Sequence, residues 1–173
     1  MKAKLFQFFL VSVLLAACAG GSWEEFTSTE GAFSVLMPKK PSRETQTVDT
    51  SLGPIEIQFF SAELADTVYM VAYSDYPAAF VAQSNPVVIL DGARDGAVAN
   101  VKGKLVSEHV IFIGGNPGRE LRIEIPDAKM TAVSRIFLVN NRLYQVMALM
   151  PAERFSSDEI TTYLDSFALT ATN

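Results

Sequence analysis

Apolar and polar residues alternate along this chain with a period that changes from segment to segment. Ile55, Ile57 and Phe59 alternate with Glu56 and Gln58, the two-residue period of a strand with one buried face. The same period returns where Leu121, Ile123 and Ile125 interleave with Arg122 and Glu124. Residues 23–38 predict two short strands around the turn-friendly pair Glu30-Gly31, the second ended by Pro38. Residues 43–60 predict a hairpin turning near Gly53-Pro54, and "TVYMVAYSDYP" (67–77) a strand apolar on both faces. "KLVSEHVIFIGG", "GRELRIEIPD", "MTAVSRIFLVNN" and "RLYQVMALMP" predict four more strands. The stretch "GGNPGRE" (114–120) and the pair Asn140-Asn141 supply their hairpin turns.

Two segments switch to helical spacing. Residues 85–103 open on Asn85 and Pro86, close on Gly103, and repeat Leu90, Ala93, Ala97 and Val101 on one face. Gly92 and Gly96 lower helix propensity there by about 1 kcal/mol each relative to alanine, so the helix backbone is expected to pack closely on a sheet. The second helix runs from Ser156 to Phe167. Ser156 and Glu159 form a capping-box pattern, and Ile160, Tyr163, Leu164 and Phe167 form an apolar stripe. The short connections imply antiparallel pairing. The expected fold class is α+β, an antiparallel β-sheet flanked by helices.

The N-terminus follows a different logic. Lys2 and Lys4 precede an apolar run, Leu5 to Leu15, too short for the roughly 20 residues of a membrane-spanning helix. "LAAC" (15–18) follows, and it matches the lipobox of bacterial lipoproteins. Residues 1–17 are therefore expected to be a signal peptide and Cys18 the lipidated residue. Residues 18–22 would be the anchor and a short tether, and residues 23–173 one domain. Diacylglycerol and a further acyl chain such as palmitate on Cys18 would give stable anchoring where one chain would not. The tether, Ala19 to Ser22, reaches only about 14 Å when extended. Ala19 rather than aspartate after Cys18 resembles the outer-membrane address of enteric lipoproteins.

Cys18 is the only cysteine, so the expected mature domain has no disulfide beyond it and no thiol nucleophile. Loss of Lys2 and Lys4 leaves twelve basic residues against nineteen acidic, a net charge of −7. That balance argues against nucleic acid or anionic headgroups as direct partners.

Catalytic and metal chemistry find little support. His109, the single histidine, would have to be the base of any Ser–His–Asp site, yet no nucleophile-elbow motif accompanies it. It reads as a strand-surface residue. With one histidine, only a carboxylate site for calcium or magnesium would remain, and no such spacing occurs. Asp91 and Asp95 share a helix face with Arg94 beside them, a solvated face with an Asp91–Arg94 pair. Arg119 and Glu120, at the exit of the glycine-rich turn, join Asp91 and Arg94 as the candidate partner-binding residues. Tyr69, Tyr73, Tyr76, Phe80 and Phe155 read as core, with a ligand groove against the Leu90–Val101 helix as the competing reading.

"WEEFTSTEGAFSVLMPKKP", "GRELRIEIP", "RIFLVNNRLYQVMA" and the closing "YLDSFAL" together resemble the PsbP-like superfamily of α/β/α sandwich domains. That superfamily includes extrinsic subunits of photosystem II, Ran-binding import factors and many bacterial lipoproteins. The resemblance implies a binding or assembly module with no catalytic residue set and no cofactor. The photosystem subunits bind partly through a basic, flexible N-terminal segment; here a lipid anchor stands in its place and the chain is acidic. The expectation is a non-enzymatic cell-envelope lipoprotein on the extracytoplasmic face of a bacterial membrane, with an envelope protein as partner. A small apolar or lipid-like ligand held between sheet and helix is the alternative.

Overall fold

The computed structural model describes residues 23–155 and 158–171. Cys18, the tether and Ser156 of the expected capping box lie outside the described residues. Among those described, no helix is long and apolar enough to cross a membrane.

Seven strands form one antiparallel sheet: β3 (Ser42–Thr50), β4 (Gly53–Leu64), β5 (Thr67–Asp75), β6 (Lys104–Ile113), β7 (Asn116–Ile125), β8 (Met130–Val139) and β9 (Arg142–Pro151). Their order is β3-β4-β5-β9-β8-β7-β6. Two hairpin-linked blocks thus meet where β5 pairs with β9, Tyr73 opposite Tyr144. The connection between blocks carries helices α1 (Ala78–Gln83) and α2 (Pro86–Asn100) across one face to the far edge. The other face is covered by a small sheet of β1 (Glu24–Ser28), β2 (Phe33–Met37) and β10 (Ala168–Leu169), with helix α3 (Asp158–Asp165) beside it. The fold is α+β, with helices on both faces of an antiparallel sheet.

The sheet sorts its side chains by parity. Leu121, Ile123, Ala132, Ile136 and Leu138 meet Ile89, Leu90 and Ala97 of α2. Tyr69, Val71, Tyr73, Tyr144, Val146 and Met150 point the other way, against Phe33, Val35, Tyr163, Leu164 and Phe167. Phe33 is fully buried, with rings of Phe60 and Phe167 each 5.6 Å away. The Tyr69 hydroxyl donates to Glu159 at 2.6 Å, and Arg154 reaches the same carboxylate at 3.2 Å. Glu159 thereby ties the first turn of α3 to the sheet.

The turns follow their residues. Gly114 (φ +54°) and Gly115 (φ +82°) close the β6–β7 hairpin, and Asn140 (φ +54°) closes β8–β9; these are left-handed positions that glycine and asparagine tolerate.

Three expectations are corrected. A further short helix, α1, precedes α2. The β1–β2 hairpin leaves the main sheet and pairs with β10 instead. The glycines of α2 do not mark close approach: both are exposed, and a Cβ built at Gly92 or Gly96 meets nothing within 4 Å. Alanine at either position is therefore expected to stabilise the domain by about 1 kcal/mol, measured as a rise in the urea midpoint at constant m. A loss of stability would mean that these glycines serve a contact absent from the folded monomer.

Candidate partner-binding surface

Three of the four sequence-predicted surface residues come together. Asp91 and Arg94 sit one turn apart on α2, and Arg119 lies beneath them on β7. Glu108 of β6 completes the group, on the same face of the sheet. Arg119 Nε is 2.8 Å from Glu108 Oε1, and Arg119 Nη2 is 3.7 Å from Asp91 Oδ1. Arg94 Nη1 is 3.2 Å from both Asp91 Oδ1 and Glu108 Oε2, and its Nε is 2.9 Å from Asp95 Oδ1. The hydrogen bond to Asp95 leads the causes that raise the Arg94 pKa. Two guanidinium groups and three carboxylates nearly cancel, so this network holds α2 in place over β6–β7 rather than presenting a bare charge.

Glu120 belongs elsewhere. As the neighbour of Arg119 in a strand it points through to the opposite face, where it is 2.7 Å from Arg135. Arg135 also reaches Asp165 of α3 at 2.7 Å. His109, exposed and directly opposite Glu120, shares that face. A hollow of about 270 Å³ lies there between α3 and the strands, lined in part by His109, Arg122 and Phe155. The Arg122 guanidinium lies 3.9 Å from the centre of the Phe155 ring. Asp91 and Asp95 are thus separated from His109 by the sheet and share no site with it. Among the described residues, no group of three or more His, Cys, Asp or Glu side chains is placed to hold a metal ion.

The aromatic set also divides. Tyr69 and Tyr73 are buried, while Tyr76, Phe80 and Phe155 are half-buried. The Tyr69 and Tyr73 rings pack on the face opposite α2; Tyr69 does not border the hollow beside the Leu90–Val101 helix, whereas Tyr73 and Tyr76 do. What lies beside that helix is an open trough of about 200 Å³ along Gly92 and Gly96.

The apolar residues around the ionic network were not singled out from sequence. Among the described residues seven large apolar side chains are exposed, and five of them are Val87 and Val88 of α2 and Val106, Val110 and Phe112 of β6. Val110 stands directly opposite Arg119, and Phe112 opposite Pro117. Val87 and Val88 lie one helical turn before Asp91. "HVIFI" carries apolar residues at both parities, which reads as a doubly covered strand; among the described residues it is an edge strand with one pairing side open. Scattered exposed apolar residues are ordinary, but five on two elements joined by one ionic network, with Val110 opposite an arginine, have the make-up of an interface. The opposite edge, β3, is exposed throughout and polar apart from Val48.

No family model matches the chain, and no curated protein matches it in sequence. Solved structures do match in shape. One is the solution structure of cyanobacterial PsbP (CyanoP) from Synechocystis sp. PCC 6803, at 12% identity and a TM-score of 0.56. The match covers 90% of this chain and 98% of that one. The fold is the PsbP-like one. At that identity the likeness extends to architecture alone, and the residues of the α2–β6 surface must be read on their own chemistry.

Proposed function

We propose that this PsbP-like domain is a non-enzymatic binding module of the bacterial cell envelope, held at the membrane by acyl chains on Cys18. It docks a partner protein through the surface formed by α2, β6 and the start of β7. The concentration of Val87, Val88, Val106, Val110 and Phe112 around one ionic network carries the reading. Arg119, only 11% exposed in its side chain and held by Glu108 and Asp91, fixes the base of this surface without offering a free charge. Aromatic and arginine side chains of this kind dominate interface energetics. The anchor fits this use. Trp23, the residue next to the tether, packs on the Tyr69–Tyr163 side at 5.0 Å from the Tyr69 ring. An anchor attached ahead of Trp23 on that face, opposite α2, would leave the docking surface turned away from the bilayer.

The test is cross-linking in intact cells of the full chain, followed by membrane fractionation. Phe112→Asp is expected to lose the cross-linked neighbours at least tenfold, as hot-spot truncation does. Val48→Asp, on the distant β3–β4 hairpin, is expected to keep them. Cys18→Ser is expected to leave the protein unprocessed and without incorporated fatty acid. Neighbours that survive Phe112→Asp would remove the docking surface, and normal processing of Cys18→Ser would remove the anchor.

A further inference from the structure

We infer that the free edge of β6 pairs with β6 of a second copy, joining two sheets into one antiparallel sheet about a two-fold axis. The inference rests on the α2–β6 docking surface proposed above and names its occupant.

The register is set by the strand. A bulge between Leu105 and Ser107 interrupts β6 near its start, and the Gly114-Gly115 turn ends it. The regular stretch between them is Ser107 to Ile113, and its centre is Val110. Strand edges are normally protected by lysines, bulges and polar side chains. Here Lys104 and the bulge guard only the first part of β6, and the regular part is left open with Val110 63% and Phe112 67% exposed. Antiparallel pairing centred on Val110 uses every residue of that stretch. Val110 faces its own copy, His109 faces Ile111, Glu108 faces Phe112, and Ser107 faces Ile113.

Each pairing joins residues of the same face, as a continuous sheet requires. Facing Val110 residues bury one another, and each Phe112 lies across from the partner's Glu108, within reach of the arginines that hold that carboxylate. The charges suit the arrangement. The two Glu108 carboxylates stand four residues apart along the pair, about 14 Å, so no like charges face each other. β3 offers no such edge, since its nine residues are all exposed and only Val48 is a large apolar one. The symmetry also suits a membrane tether. A two-fold normal to the sheet keeps both Trp23 residues on the same face, as the proposed anchoring of both chains in one bilayer requires, while α2 and its copy share the other. The shared area is modest, and confinement to a surface raises the effective concentration that the pairing needs.

Single cysteines in the full, membrane-bound chain test both the occupant and the register. Directly opposite residues bring Cβ atoms within about 5 Å, close enough for a disulfide. Val110→Cys is expected to give a disulfide-linked homodimer on mild oxidation of intact cells. Glu108→Cys and Phe112→Cys are each expected to remain monomeric when expressed alone and to cross-link when co-expressed. Val110→Lys, tested against a chemical cross-linker, is expected to lower the dimer fraction at least tenfold, because two like charges would then face each other. A monomeric Val110→Cys, or Phe112→Cys cross-linking by itself as efficiently, overturns the inference. If Val110→Cys stays monomeric while Phe112→Asp still loses other envelope neighbours, the docking surface stands and only the second copy falls. If those neighbours survive Phe112→Asp, the docking reading falls while Val110→Cys still decides the pairing.

Discussion

Above about pH 10 the domain is expected to lose stability steeply, by up to about 3 kcal/mol per pH unit from Tyr69 and Tyr163 alone, and to unfold over a narrow range. The cause is four buried tyrosines on the α3 side of the main sheet. Tyr69 and Tyr163 are fully buried, and Tyr73 and Tyr144 are 5% and 2% exposed. Burial is the first cause of a raised pKa in all four. In Tyr69 the hydrogen bond donated to Glu159 adds to it, and in Tyr73 the nearby Glu30 carboxylate does. Below the ordinary phenol value of 10.0 both folded and unfolded chains hold these protons, and stability does not depend on them. Above it the unfolded chain releases them, while the folded chain holds those of Tyr69 and Tyr163 far longer and those of Tyr73 and Tyr144 only somewhat longer. Each tyrosine favours unfolding by about 1.4 kcal/mol per pH unit while its proton is so held. A domain stable by about 5 to 15 kcal/mol is exhausted within a few units. Tyrosinate absorbance and near-UV circular dichroism should therefore change together in one steep transition. Tyr69→Phe should remove about 1.4 kcal/mol per pH unit from that slope. Gradual ionisation near pH 10 with the dichroism intact would show that the phenols are not sequestered.

Much of this core was legible beforehand because strands declare their buried face by parity. Leu121 and Ile123 alternate with polar residues and are buried. In β4, however, the expected face fails beyond Ile55: Gln58 and Phe60 are buried, and Ile57 and Phe59 are only half-buried because the strand is covered on both faces. The glycine and asparagine pairs mark the hairpins in which they are found. Parity also separates Arg119 from Glu120, since adjacent strand residues face opposite ways. The partners across the sheet were not legible, because they depend on strand order. The α1–α2 connection carries the chain to the far edge before it returns, so β5 meets β9 and β6 is left outermost. Nothing local in "KLVSEHVIFI" records that outcome. The same sequence at a central position would have Val110 and Phe112 covered. The β1–β2 hairpin shows the same limit. Its apolar residues predict burial correctly, but a two-residue strand at Ala168–Leu169 decides which sheet it joins.

The glycines give the sharpest contrast between local and tertiary causes, and Gly118 is expected to be the least replaceable among those of the β6–β7 hairpin. It lies within β7, buried, opposite Phe137. A Cβ added there would stand 2.5 Å from the backbone oxygen of Ile136 and 2.5 Å from Cδ1 of Phe137. The phenylalanine ring is packed at 6.0 Å on Phe167, and the carbonyl belongs to the central ladder, so neither yields cheaply. Gly118→Ala is therefore expected to cost about 3 kcal/mol, the upper range for overpacking. Gly115, three residues earlier, adopts φ +82° with nothing within 4 Å of its Cβ position. Alanine there meets only the left-handed backbone penalty of about 1 to 2 kcal/mol. Urea unfolding of the two variants should rank them in that order, with unchanged m values. Because Gly118 sits just past the turn that ends β6, its replacement should also loosen the strand that carries Val110 and Phe112. Amide exchange in Ser107–Ile113 should then accelerate more in Gly118→Ala than in Gly115→Ala. Equal stabilities for the two would mean that β7 and β8 are not packed as closely as their backbones place them.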